Sequence, residues 1–250
     1  MEIAKGIDAL KIEFGAIGGE GIFPVLLREG NDITLVDTGV SDEKCTEALE
    51  KSLLEAGIRF EDISRIIITH HDHDHLGGVP AIRAKNPGVK VIAHAAEMAF
   101  IEGEKTLNKN TEEKLEKIDI PEHIKQAIKN SSKIKSAPVK VNETLKEGDV
   151  IPMLGGITVI HLPGHTPGHI GLYLNKYRIL IPGDALTAKN GVLSGPVLVF
   201  TADIDMAYES LKKLSEYDIE KVICFHGGLV EAGNACIKEL VEIFEAKKAI

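Results

Sequence analysis

Ile66-Ile67-Ile68-Thr69-His70-His71-Asp72-His73-Asp74-His75-Leu76-Gly77-Gly78 is the stretch that decides how the chain folds. Three consecutive isoleucines read as a buried strand, and a Gly-Gly pair closes the loop that follows it. Between them, four of the ten histidines and two aspartates crowd into positions 70 to 75. A loop leaving a strand end can converge such imidazoles and carboxylates on one cation. Nitrogen and oxygen donors of this kind suit zinc, iron or manganese, not a thiolate site. A solvated His-rich turn is the plain alternative, but a buried strand is a poor place to attach one.

Upstream, Phe23 to Arg28 and Ile33 to Val36 are apolar runs joined by Glu29-Gly30-Asn31-Asp32, a hairpin signal, with a first strand before them in residues 7 to 14. The second run ends in Val36-Asp37-Thr38-Gly39, which read bare is a turn. Ser41 is a candidate N-cap with Asp42 and Glu43 in the first turn. Cys45, Leu49, Leu53 and Ala56 share one helix face until Gly57 stops it, which makes Cys45 a buried helix residue. Downstream, a helix over 80–85 and a strand over 89–93 follow. Residues 94 to 137 turn rich in Glu, Lys and Asn, with short helices over 111–118 and 121–130. Leu115, Ile118, Ile124 and Ile128 make a thin apolar stripe there. A solvated insertion with an oligomer contact and a substrate-covering lid weigh equally; His123 reads as a surface residue.

A second histidine cluster lies in His161-Leu162-Pro163-Gly164-His165-Thr166-Pro167-Gly168-His169. Spacing by four would share a helix face, but two prolines and two glycines forbid a helix, so this is a loop. A hairpin over 171–174 and 178–181 then runs into Pro182-Gly183-Asp184-Ala185. After a helix over 203–216 comes Asp218-Ile219-Glu220-Lys221-Val222-Ile223-Cys224-Phe225-His226. It repeats Asp62-Ile63-Ser64-Arg65-Ile66-Ile67-Ile68-Thr69-His70 in its Asp, Ile, basic residue, second Ile and terminal His, at identical offsets. Two similar halves, each ending a buried strand in a histidine, fit this recurrence. Cys224 shares the second strand and is a candidate metal-proximal thiol. A closing helix spans 230–246, with Ile237, Leu240, Val241 and Phe244 as its apolar face.

Composition narrows the class. At 250 residues, 44% hydrophobic and 27% charged, the chain has the make-up of a globular α/β or α+β protein with a substantial core. A net charge of −9 argues against sequence-independent nucleic-acid binding, which needs a basic surface. No run of about 18 apolar residues predicts a membrane span, and Met1-Glu2-Ile3-Ala4-Lys5-Gly6 carries no signal-peptide pattern. Three scattered cysteines give no disulfide framework, so the expectation is a reduced, cytoplasmic enzyme with a small-molecule substrate.

Taken together, these segments resemble the metallo-β-lactamase-fold hydrolases, whose signature is T-H-x-H-x-D-H-x-G-G. Thr69, His70, Asp74, His75, Gly77 and Gly78 match it, while Asp72 stands where the signature has histidine, a variant H-x-D-x-D-H form. The resemblance implies a four-layer αββα sandwich, one domain over 1–250 with a helical insertion at about 94–137. It implies two divalent ions, zinc first, with manganese or iron as alternatives. His70, Asp72 and His165 would hold one ion, Asp74, His75 and His226 the other, and Asp184 would bridge them. Asp37 would support the metal loop, His169 would hold its own loop by hydrogen bonding, and His161 would pack or donate behind the ligands.

That arrangement implies hydrolysis by a metal-bridging hydroxide, with Asp184 and Asp74 as catalytic carboxylates and Asp74 passing a proton to the leaving group. An ester or lactone is the favoured substrate. Too little chain follows His226 for the helical substrate domain of glyoxalase II. Asp72 is a harder ligand than histidine and lowers the cluster charge by one. This tilts metal choice toward manganese or iron and substrate choice toward neutral esters over phosphodiesters. Other readings are thioester or phosphodiester hydrolysis, an iron-dependent redox enzyme resembling the persulfide dioxygenases, and a ligand-binding protein on an inactive scaffold. Metal stoichiometry separates the redox reading, and the complete ligand set disfavours the last.

Overall fold

The computed structural model describes residues 1–13, 21–109, 112–116, 120–131 and 136–248. One sheet contains, in spatial order, β1 (Glu2–Ala4), β2 (Ile7–Ala9), β3 (Val25–Glu29), β4 (Asp32–Val36), β5 (Arg65–Ile68), β6 (Lys90–His94) and β7 (Glu143–Leu145). β1 to β4 are antiparallel neighbours, and β4 to β7 run parallel. Parallel strands are covered on both faces, which is why β5 can be an unbroken isoleucine run. Ile66 and Ile68 face one way and Ile67 the other, and all three are fully buried. Each such side chain contributes roughly 1.5–3 kcal/mol.

The chain then builds β8 (Val150–Ile151), β9 (Ile157–His161), β10 (Ile170–Leu174) and β11 (Ile179–Ile181), followed by a separate hairpin of β12 (Thr187–Lys189) and β13 (Val192–Ser194). β14 (Lys221–Cys224) and β15 (Gly228–Val230) complete the second sheet, whose order is β15-β14-β11-β10-β9-β8. β14 pairs parallel with β11, as β5 does with β4, so the two matching sequence segments occupy matching places in the two sheets.

Three cores make four layers. α1 (Glu43–Glu55), α2 (His73–Leu76) and α3 (Val79–Lys85) belong to the first half, where Leu49, Leu53 and Ile82 pack on Leu35, Ile66 and Val91. Between the sheets, Val36 and Ile67 meet Val159, Leu172, Ile181 and Ile223. On the far side, α7 (Ile204–Leu211) and α8 (Asn234–Lys248) cover Leu180, Val222 and Cys224 with Leu211, Ile237 and Val241. Between β6 and β7 lie α4 (Met98–Ile101), α5 (Glu112–Glu116) and α6 (Glu122–Ser131). Leu115 and Ile128 are buried there and His123 is exposed, while Ile118 and the Ile124 side chain lie outside the described residues.

Several details differ from the sequence reading. Asp42, not Ser41, caps α1, because its carboxylate accepts the N–H groups of Lys44 and Cys45. Val230 belongs to a strand, since the turn at Gly227 folds residues 228–230 back antiparallel onto β14, and α8 begins only at Asn234. The 203–216 helix continues past Leu211 as a 3-10 segment. Cys224 joins neither group of candidate metal ligands: it alternates with Ile223 and packs in the outer core with Ile237 and Val241 of α8.

Candidate metal centre

β5, β9, β11 and β14 each release a loop at one edge of the sandwich, and four loops carry the histidines and aspartates of interest. Gly77 and Gly78 let the first loop settle under residues 38–41: a Cβ on Gly77 would lie 2.2 Å from the Ser41 nitrogen, and one on Gly78 2.4 Å from the Thr38 oxygen. Thr38 then fixes the turn, its N–H and hydroxyl both donating to the His75 carbonyl at 2.7 and 2.9 Å.

Asp37 organises the loop from beneath. Buried and at a left-handed φ of 59°, it accepts the Thr69 N–H at 2.9 Å, the Thr69 hydroxyl at 2.8 Å and the His75 Nδ1–H at 2.8 Å. With its proton given to Asp37, the Thr69 oxygen is left to accept from His70 Nδ1 at 3.1 Å. The Nε2 lone pairs of His70 and His75 therefore face the site. His165 is oriented likewise: Thr201 donates its hydroxyl to the Val197 carbonyl at 2.8 Å, so its oxygen receives His165 Nδ1–H at 3.3 Å. Partners behind the ring commonly fix ligating histidines in this way.

The seven residues the sequence pointed to come together as two groups. His70, Asp72, His165 and Asp184 have candidate donor atoms all within 4.8 Å of one another, as do Asp74, His75 and His226. Asp184 reaches both: Oδ1 lies 3.2 Å from His75 Nε2, while Oδ2 lies 3.6 Å from both His165 Nε2 and His226 Nε2. Asp74 Oδ2 stands 3.2 Å from His226 Nε2, and Asp72 Oδ2 3.3 Å from His70 Nε2.

These residues fit a divalent cation. The buried Nε2 atoms of His70 and His75 and the Oδ1 of Asp184 have no hydrogen-bond partner, an expensive arrangement unless a cation takes the lone pairs. The electrostatics point the same way. Burial alone would lower His75 and His226, yet Asp184 and the neighbouring carboxylates outweigh it, holding His75 well above the usual histidine range and His226 up at about 10. Burial pushes His70 down. Asp184 stays well below the carboxylate range despite its burial, because His226 and His75 favour its charged form.

His161 packs behind the ligands as expected, whereas the His169 side chain reaches past its own loop to that of Asp184. His169 Nε2 accepts the Asp184 N–H at 2.9 Å, and burial pushes His169 down to about 3. His161 packs flat on His94, ring centroids 4.2 Å apart, with its Nε2 2.9 Å from the Pro167 carbonyl; neither joins the donor groups.

Two residues at this edge had no part in the sequence reading. Glu97, fully buried, accepts the Gly168 N–H at 2.6 Å and the His71 N–H at 2.9 Å, and bonds the His71 ring. Lys109, 8% exposed, lies against Asp72 Oδ2 at 2.5 Å and His165 Nε2 at 3.0 Å. Nothing in the local sequence singles either out, since their partners are distant in the chain.

The model of the metallo-beta-lactamase superfamily matches residues 17–226. The chain belongs to that superfamily. A probable metallo-hydrolase of Bacillus subtilis (strain 168), YflN, is 27% identical over 241 residues, which cover 91% of this chain and 86% of that protein. A hydroxyacylglutathione hydrolase of Hamiltonella defensa is 29% identical over 178 residues, covering 70% of the chain and 53% of that enzyme. The metallo-beta-lactamase family protein TTHA1429 of Thermus thermophilus shares the fold at a TM-score of 0.72 and 22% identity, over 99% of this chain and 81% of that one. As a metallo-hydrolase of this superfamily, the protein has its donor groups where the αββα sandwich opens. No helix among the described residues is long and apolar enough to cross a membrane.

Proposed function

We propose that the protein hydrolyses a carboxylic ester or lactone with two divalent metal ions, zinc or, given Asp72, manganese or iron. The observation that carries this reading is Asp184, whose two oxygens address the histidines of both donor groups. His70, Asp72 and His165 would hold one ion and Asp74, His75 and His226 the other, with Asp184 between them. When bound, such ions acidify a water molecule and polarise the substrate's carbonyl oxygen.

The chain's own residues do the rest. Asp37 and Thr201 hold the histidine rings with Nε2 inward, and His169 holds the Asp184 backbone. Asp74, 21% exposed at its side chain, lies where it can carry a proton to the departing alcohol. The insertion contributes contacts at this edge: Lys114 donates to the carbonyls of Thr201 and Ala202, and the Ser136 hydroxyl to that of His73. It would cover the bound substrate and bias its choice. The similarity to a hydroxyacylglutathione hydrolase brings acyl thioesters into the same range as a second reading.

A panel of neutral esters, lactones, acyl thioesters and phosphodiesters, run on protein reloaded with zinc, manganese or iron, tests the assignment. Turnover of esters or lactones above the other classes is the expected result. A phosphodiester preference, or oxygen consumption without hydrolysis, would overturn it.

A further inference from the structure

Lys109 is a buried charged group at this edge that the hydrolytic reading does not use. Its ammonium is almost wholly withdrawn from water and is satisfied by Asp72 Oδ2 and His165 Nε2, the same lone pairs a divalent ion of the first group would take. The contact is built, not incidental. The insertion carrying Lys109 is pinned at α5 by Lys114, which donates to the carbonyls of Thr201 and Ala202. Thr201 is also the residue that turns His165 Nε2 inward. Among the described residues, the second group has no such cation: the recorded ion pairs of Asp74, His75 and His226 are with one another, with Asp37 and with Asp184.

We propose that Lys109 and a divalent ion compete for Asp72 and His165, so that the two donor groups take up metal unequally. The group of Asp74, His75 and His226 fills first. The group of His70, Asp72 and His165 fills only as the ammonium withdraws, and Lys109 then stands as a tethered cation at the rim. The carboxylate at position 72 belongs to the same device, because an ammonium pairs with Asp where it would find only a second imidazole in His. An internal competitor lowers apparent affinity by the fraction of time the site is free, so occupancy of about 90–99% by Lys109 weakens the first group about ten- to a hundredfold.

The inference rests on the dinuclear reading, and titration of the metal-stripped protein with manganese, followed by calorimetry and elemental analysis, separates the two. Wild type is expected to show one tight step and one weaker step. Lys109→Met should tighten the weaker step about ten- to a hundredfold while leaving the tight one unchanged. Lys109→Arg, which keeps the charge, should retain the weak step, and circular dichroism checks that both variants fold. Two equivalents bound with unchanged affinities in Lys109→Met would overturn the competition and leave the dinuclear reading standing. A single equivalent in both proteins would overturn both.

Discussion

Glu97 bonds His71 twice, through the backbone N–H at 2.9 Å and through the ring nitrogen, and its other oxygen takes the Gly168 N–H. One buried carboxylate thus ties the loop of His70 and Asp72 to the loop of His165, and Phe100 stacks on the outer face of the His71 ring. Burial alone would raise Glu97, but His71 and the donated N–H groups more than offset this, so its carboxyl lies below the usual range.

Glu97→Gln should therefore destabilise the protein, since the new amide NH2 must face a donor. A cost of about 1–3 kcal/mol at neutral pH is expected from one unsatisfied buried group. Because the folded-state pKa is depressed, the ionised carboxylate stabilises the fold above its unfolded pKa, and that contribution fades as the pH falls. The gap between wild type and variant in urea unfolding should thus shrink below about pH 4.3. A gap independent of pH would show that the charge of Glu97 plays no part.

Asp37→Asn isolates the role of the supporting carboxylate. Asparagine tolerates the left-handed φ of 59° at this position, so the backbone can stay as it is. What changes is Oδ2, the acceptor for both His75 Nδ1–H and the Thr69 hydroxyl. Metal affinity of the second group should fall about ten- to a hundredfold, as is typical when a ligand loses its outer partner. Calorimetric titration with zinc or manganese measures it.

Much of this centre was legible in the chain. The triple isoleucine, the crowded loop after it and the repeat ending in His226 placed both halves, because strand burial and a ligand-rich loop leave local marks. Asp184 needed its position after a hairpin to stand out. Other features left no local signal. β1 is three residues long, too short for a period, and exists through its pairing with β2 across Lys5-Gly6. Lys109 is one lysine in a lysine-rich segment, and it is placed by the return of the insertion onto Asp72, 37 residues away. Glu97 opens that same segment, and its partners lie 26 and 71 residues off.

Asp184→Asn should lower kcat/KM by roughly three orders of magnitude, or about 4 kcal/mol, since it removes a charge shared by both donor groups. Steady-state kinetics on the best ester of the panel, at saturating metal, tests this. Retention within a few-fold would remove Asp184 from the reaction.

Asp72→His should raise zinc binding relative to manganese, because imidazole is the softer ligand. It also deprives Lys109 of its carboxylate, so in the single variant the ammonium competes less and the weaker step of metal uptake should tighten. Adding Lys109→Met to Asp72→His should then gain much less than Lys109→Met gains in the wild type. A double-mutant cycle on metal affinity should then give a coupling of about 1–3 kcal/mol; additive effects would mean the two residues act independently.

Anomalous diffraction from crystals saturated with manganese tests the central claim most directly. Two peaks are predicted, one within about 2.0–2.3 Å of donors from His70, Asp72 and His165 and one at the same distance from Asp74, His75 and His226, with Asp184 touching both. A single peak at saturation, or peaks that these seven residues do not ligate, would contradict the account.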